Sequence, residues 1–219
     1  MLIRNDVLLY AGSAPRAVRI LWIDPGRTST FAFALGVAGA WPVPMRLRQL
    51  EADVQNRRAR LLLCDPYAAR PPGAAPTPAQ LAAHARAGAV IAALACPATA
   101  VFDARERRRM VAEAATTHGL SVSTVHRYLR RYWEGGQTED ALWLDSHVAR
   151  RGVRQPVPEV RSTVRMAVTR YASTHRAFSR RAAYRQMLED FYPERTIDAL
   201  PTFGQFNYWI DKDAVLRNL

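Results

Sequence analysis

Lysine is almost absent from this 219-residue chain: Lys212 stands alone, and arginine carries the rest of a formal charge of +12. The alanines that accompany the arginines suit a GC-rich coding sequence, so the sign of the charge says more than the choice of arginine. A net charge of this size points to a polyanionic partner. Cysteine is scarce as well. Cys64 and Cys96 are the only two and each stands alone, so neither a disulfide framework nor a zinc site is indicated. No apolar run reaches the roughly 18 residues that a membrane span needs, and Arg4, Asn5 and Asp6 interrupt any signal-peptide core. A cytoplasmic setting with no membrane partner is the expectation. Catalytic patterns are missing too. His84, His118, His126, His147 and His175 are scattered, with no pair at ligand spacing on one helix face. There is no Gly-x-Ser-x-Gly elbow and no glycine-rich phosphate loop. Catalytic residues, metal and cofactor are all expected to be none.

What is present is a stretch, Glu113 to Tyr132, that reads as two helices joined by a glycine turn. Ala115 is small enough for helices to cross closely, Gly119 can take the left-handed conformation of a sharp turn, and Ser121 can cap the next helix. Val122, Val125, Leu129 and Tyr132 follow at i, i+3, i+7 and i+10 and are expected to form its buried stripe. The opposite face carries Ser123, Thr124, Arg127, Arg130 and Arg131, and no acid lies between Ser121 and Trp133. Such a face suits base edges and phosphates of duplex DNA. The candidate contacts here are Ser121, Ser123, Thr124, His126, Arg127, Arg130 and Arg131. An ordinary helical hairpin with solvated arginines is the alternative.

The expected fold is mainly α with a small N-terminal β unit, its helix-turn-helix DNA-binding domains joined by linkers. Residues 1–67 form the β unit: Val7 to Tyr10, Val18 to Ile23 and Thr28 to Phe33 are runs rich in β-branched and aromatic residues, separated by Ala11-Gly12-Ser13 and Asp24-Pro25-Gly26 turns. A short helix, Met45 to Val54, follows Pro44. The proline-rich stretch 68–78 is a linker. Residues 79–134 form the first helical domain, with Gln80 to Ala95 anchored by Leu81, Val90, Ile91 and Leu94 and ended by Pro97. Its next helix is Ala104 to Thr117, capped by Asp103, where the run Arg105 to Arg109 reads as a solvated face. A second linker, 135–158, leads to a second helical domain, 159–219. Val160, Val164, Val168 and Tyr171 mark one helix there. Ala182, Met187, Leu188 and Phe191 mark another that Ser179 can cap. Thr202 and Gln205 form a capping box for the last, with Phe203, Phe206 and Ile210 as its buried stripe. Thr202, Gln205, Tyr208 and Lys212 are its candidate DNA contacts. Periodicity equally allows a plain helical bundle.

Asp24 closes a β run in a manner resembling the first strand of a ribonuclease-H-like core, where such a carboxylate holds a divalent metal. Nothing after residue 64 reads as the sheet that would bring further carboxylates to it, so Asp24 is expected to be a turn residue.

Three segments carry a resemblance. Asn5-Asp6 with Arg19-Ile20-Leu21-Trp22-Ile23-Asp24, then Gly119 to Trp133, then Leu200 to Trp209 resemble the N-terminal half of TnsB-like transposases, members of the Mu-transposase and retroviral-integrase superfamily. The Pro201-Thr202-x-x-Gln205-Phe206-x-Tyr208-Trp209 segment is the most specific. The resemblance implies a β-containing N-terminal domain and two helical domains that read repeated sites at transposon ends. It also implies double-stranded DNA and other transposition proteins as partners, on the bacterial nucleoid. A DDE catalytic domain is expected beyond Leu219, so no catalytic role comes to any residue here. The second linker departs from the pattern, with Arg150 to Pro156 where a Gly-Arg-Pro element is expected. Two rivals stand beside this reading: a helix-turn-helix transcriptional regulator, and a nuclease or transposase whose catalytic domain lies outside this chain.

Overall fold

The computed structural model describes residues 1–11, 16–69, 71–72, 75–95, 99–143, 159–193 and 200–216. The turn at Gly12-Ser13, the helix stop at Pro97, Cys96, His147 and most of the second linker lie outside them.

Five antiparallel strands form one sheet, β1 (Val7–Tyr10), β2 (Arg16–Ile23), β3 (Ser29–Leu35), β4 (Val43–Arg46) and β5 (Ala59–Leu61), in the order β4-β3-β2-β1-β5. The first three are the expected runs. The outer two are not legible locally: β4 pairs Phe31 with Pro44 and Ala32 with Val43, and Pro44 is tolerated because an edge strand need not donate on both sides. The first helix, α1 (Leu47–Gln55), consequently starts two residues later than expected. Alternation splits the sheet's side chains between two layers. Leu8, Ile20 and Leu61 pack with Leu47, Leu50 and Val54 of α1. Val7, Ala17, Leu21, Phe33 and Leu35 join a second core made with the first helical unit.

That unit comprises α2 (Pro78–Leu94), α3 (Ala104–Thr117) and α4 (Val122–Glu134). Thr77 and Gln80 form a capping box at the start of α2, and Asp103 accepts hydrogen bonds from the amides of Arg105 and Glu106 at the start of α3, as expected of it. Leu81 is not a core anchor: it is 49 % exposed, because α2 meets the core only through its second half, Ala87, Val90, Ile91 and Leu94.

The C-terminal unit is α5 (Val160–Thr174), α6 (Arg180–Phe191) and α7 (Phe203–Lys212), closed around Val164, Val168, Met187, Phe206 and Ile210. It docks on the β5 side of the sheet. Asp190 pairs with Arg60 and accepts from the Leu63 amide at 3.0 Å, while Gln186 Nε2 donates to the Leu61 carbonyl at 2.7 Å. Arg170 pairs with Asp6. Burial pushes the Asp190 carboxyl above the ordinary carboxylate range, against the Leu63 amide and Arg60, which favour the anion. Among the described residues, no helix is long and apolar enough to cross a membrane.

Candidate nucleic-acid interface

The α3–α4 turn follows from two residues. Gly119 adopts φ +60°, its amide donates to the Thr116 carbonyl at 3.3 Å, and the Leu120 amide donates to Ala115 at 2.8 Å, the double closure that ends a helix in a left-handed residue. Ser121 then accepts from the Thr124 amide at 3.2 Å and caps α4. A Cβ added at Gly119 would touch nothing within 4 Å, so substitution there reports backbone strain alone. Gly119→Ala is expected to cost about 1 kcal/mol, read as a drop in denaturation midpoint. An unchanged midpoint would mean the turn relaxes out of the left-handed region.

The buried face of α4 differs from the expected stripe. Val125, Tyr128, Leu129 and Trp133 are buried, Tyr132 is only half-buried, and Val122 is 47 % exposed. Trp133 causes the rotation: it packs among Phe33 (5.9 Å between ring centroids), Phe102 (6.1 Å) and Trp41 (6.1 Å), drawing in the side of α4 that faces the sheet. The first turn, carrying Val122, then projects past the core.

The outward residues divide into two groups. Ser121, Ser123 and Arg127 are exposed and Thr124 half-exposed; the Ser121 hydroxyl lies 2.9 Å from those of both Ser123 and Thr124. His126, Arg130 and Arg131 are engaged within the chain. Trp41, from the loop between β3 and β4, meets the His126 ring edge-on at 5.0 Å and has the Arg130 guanidinium 5.4 Å from its ring centroid. Arg131 Nη1 donates to the Trp143 carbonyl at 3.3 Å. Nothing in the local pattern of α4 announces Trp41, which lies some 85 residues upstream of it. The run Arg105 to Arg109 divides as well. Arg107 turns inward instead of being solvated, donating to the Val101 and Phe102 carbonyls at 3.2 and 3.0 Å with its guanidinium 4.5 Å from the Trp41 ring, whereas Arg105, Arg108 and Arg109 are exposed.

Burial, then the positive charges of Arg130 and Arg107, hold His126 below the ordinary imidazole value of 6.5. Near neutral pH it is an uncharged ring, unsuited to pairing with a phosphate. A depressed folded-state value means the unfolded chain binds more protons, so this contribution to stability is present above pH 6.5 and is lost as pH falls below it. His126→Gln is therefore expected to show a smaller loss of melting temperature between pH 7 and pH 5 than the parent. Equal losses would place the ring in a solvated environment.

In the C-terminal unit the capping box forms as expected, Thr202 Oγ1 accepting from the Gln205 amide at 3.2 Å and Gln205 Oε1 from the Thr202 amide at 2.8 Å. Phe206 and Ile210 are fully buried, and Phe203 is half-buried against Tyr184, 5.2 Å between rings. Thr202, Gln205, Tyr208 and Lys212 all lie exposed on α7 and its cap, with Lys212 Nζ 5.8 Å from the Tyr208 ring. Because Gln205 Oε1 serves the backbone, its NH2 is the group left to meet a base acceptor.

Asp24 does turn chemistry. Its carboxylate accepts from the Thr28 amide (2.7 Å), the Thr28 hydroxyl (3.1 Å) and the Ser29 amide (2.5 Å), and these bonds hold it below the ordinary carboxylate value. Among the described residues there is no cluster of three His, Cys, Asp or Glu side chains that could hold a metal ion.

A pair of short helices closed by a tight turn, with a serine-capped second helix presenting a polar, acid-free face, has the architecture of a helix-turn-helix. Residues 85–145 match the TnsB second domain, and residues 157–218 match the TnsB transposase helix-turn-helix domain. The chain belongs to the TnsB family, of which it carries these two domains. It is similar to the transposon Tn7 transposition protein TnsB of Escherichia coli, 24 % identical over 137 residues that cover 51 % of this chain and 20 % of that protein. It thus spans about a fifth of that relative's length.

Proposed function

We propose that this chain binds transposon-end DNA in a sequence-specific way, as the DNA-binding portion of a DDE-type transposase. The observation that carries the reading is the acid-free outward face of α4, where Ser123 in the capped first turn and Arg127 in the next stand exposed, in a chain carrying two TnsB domains. Arg127, near the helix N-terminus, reaches base edges in the major groove, and Ser121, Ser123 and Thr124 bind the flanking phosphates. Arg130, Arg131 and His126 serve at the margin, their side chains already engaged by Trp41 and Trp143. On α7, Gln205 meets bases while Thr202, Tyr208 and Lys212 meet the backbone. The functional units are 1–67, 79–134 and 159–219, joined by 68–78 and 135–158; the sheet and the first helical unit share one core.

In this reading strand cleavage and joining belong to a DDE domain and not to residues 1–219, the partners are duplex DNA and other transposition proteins, and the setting is the bacterial cytoplasm at the nucleoid. The test is footprinting of the purified chain on a DNA fragment that contains both its gene and the terminal repeats flanking it. Protection of repeated sites at the termini is expected. Protection confined to the gene's promoter would make the chain a transcriptional regulator. Metal-dependent nicking by the chain alone would make it a nuclease.

A further inference from the structure

Arg19 is closed off from any external ligand, and the Asn5 side chain is held by Gln137. Arg19, on β2, is fully buried, yet it spends its guanidinium on three partners from distant parts of the chain. Nη1 donates to Asp65 Oδ2 at 2.6 Å and to the Asn5 carbonyl at 3.2 Å, and Nη2 donates to the Glu134 carbonyl at 2.8 Å. Glu134 is the last residue of α4, so this carbonyl is one of the acceptors a helix leaves open at its negative end, where a cation is most favourable. Three residues on, Gln137 sits at φ +58°. Its Nε2 donates to Asn5 Oδ1 and to the Leu21 carbonyl, and its Oε1 accepts from Arg4, each at 2.8 Å. The Glu134 carboxylate accepts from the Gly36 amide at 3.3 Å, and the Gly135 carbonyl accepts from the Ala69 amide at 3.1 Å. A Cβ on Gly135 would lie 2.5 Å from Ala141 Cβ and 2.9 Å from Ala69 Cβ, so the chain passes here closer than any side chain allows.

All of these contacts fall at one end of α4. Further along the helix Val125, Tyr128 and Leu129 stay packed in the core while Ser123 and Arg127 face outward. Stability is a poor explanation for such an arrangement: a fully buried guanidinium is costly to desolvate, an apolar residue in its place is often no worse, and Arg19 Nε has no hydrogen-bond partner among the described residues. Direction is a better one. Arg127 lies about 10 Å along the axis from Glu134, so a swing of roughly 10° at the base of α4 moves it by about 2 Å, enough to take a side chain off its hydrogen-bonding partner. We infer that Arg19, Asn5 and Gln137 form a positioning clamp through which the N-terminal sheet sets the direction of α4 in the DNA groove. This rests on the proposed reading of DNA by α4.

Two variants of the full chain test it. Gln137→Gly suits the positive φ and removes only the clamp's side-chain bonds; Arg19→Lys keeps a charge opposite Asp65 but cannot bridge to Glu134 and Asn5 together. Both should bind transposon-end duplex about tenfold more weakly, the worth of one misplaced charged contact. Affinity for an unrelated duplex and the salt dependence of binding should stay unchanged, since no phosphate contact is removed. In an Arg127→Ala background Gln137→Gly should cost less than about threefold, because coupled residues are not additive whereas a general loss of fold would be. A readout without DNA is the tilt of α4 against the sheet, from residual dipolar couplings of backbone amides. One orientation is expected in the parent and a broadened or shifted one in both variants. An unchanged tilt, or equal weakening on both duplexes accompanied by a lower melting temperature, overturns the clamp. A parent that does not distinguish transposon-end from unrelated duplex overturns the proposed function, and the tilt still decides the clamp.

Discussion

Replacing Arg127 with alanine is expected to weaken binding to the cognate duplex by about 1–3 kcal/mol and to relax base preference at one position of the site. The magnitude is that of one bidentate arginine contact to a guanine edge. The choice of residue comes from the structure: of the four cationic or imidazole side chains on α4, His126, Arg130 and Arg131 are engaged by Trp41 or Trp143, whereas Arg127 is exposed, its guanidinium 6.0 Å from the neighbouring Tyr128 ring. Arg130→Ala should weaken specific and unrelated duplex binding alike, because its loss removes charge and a packed guanidinium but no base contact. Selection of preferred sites from a randomised duplex pool checks both. An Arg127→Ala protein that selects the same site with the same affinity would remove α4 from the groove.

A second large effect is expected from salt. Arg105 and Arg108 on α3, and Arg181, Arg185 and Lys212 on α6 and α7, are exposed, and Arg130 on α4 is half-exposed. If these neutralise about six phosphates, log affinity falls against log salt with a slope near −5.4, so affinity drops about a thousandfold or more between about 50 and 200 mM salt. Exchanging Arg181, Arg185 and Lys212 together for glutamine leaves the cores untouched and should reduce the slope by about 2.7. An unchanged slope would take the C-terminal unit off the DNA, leaving its docking on β5 through Asp190 as a structural role.

Much of what the helices do was legible because it is local. Asp103, Ser121, Ser179 and Thr202 each satisfy an amide two or three residues away, and Gly119 closes its turn with bonds reaching back no further than Ala115. Such bonds are decided by neighbours in sequence, so residue type and spacing suffice to place them. The three central strands were legible for a similar reason, each being a run whose residue types favour extended backbone. The short strands β4 and β5 were not: Val-Pro-Met-Arg and Ala-Arg-Leu lack a run of β-favouring residues, and they exist by pairing with β3 and β1.

The sequence alone therefore determined the helix-turn-helix stretches, their caps, and the sign of the charge they present, and with the three quoted segments it pointed to the TnsB family. Only the tertiary structure decided which arginines are available. Arg19 is consumed at the base of α4, Arg107 and Arg130 are set against Trp41, and Arg60 and Arg170 are spent on Asp190 and Asp6, while Arg127 is left exposed. These pairings join residues some 66 to 164 positions apart. An arginine's stem is compatible with either burial or exposure, so its fate depends on whether the fold brings a carbonyl, a carboxylate or an aromatic ring within reach.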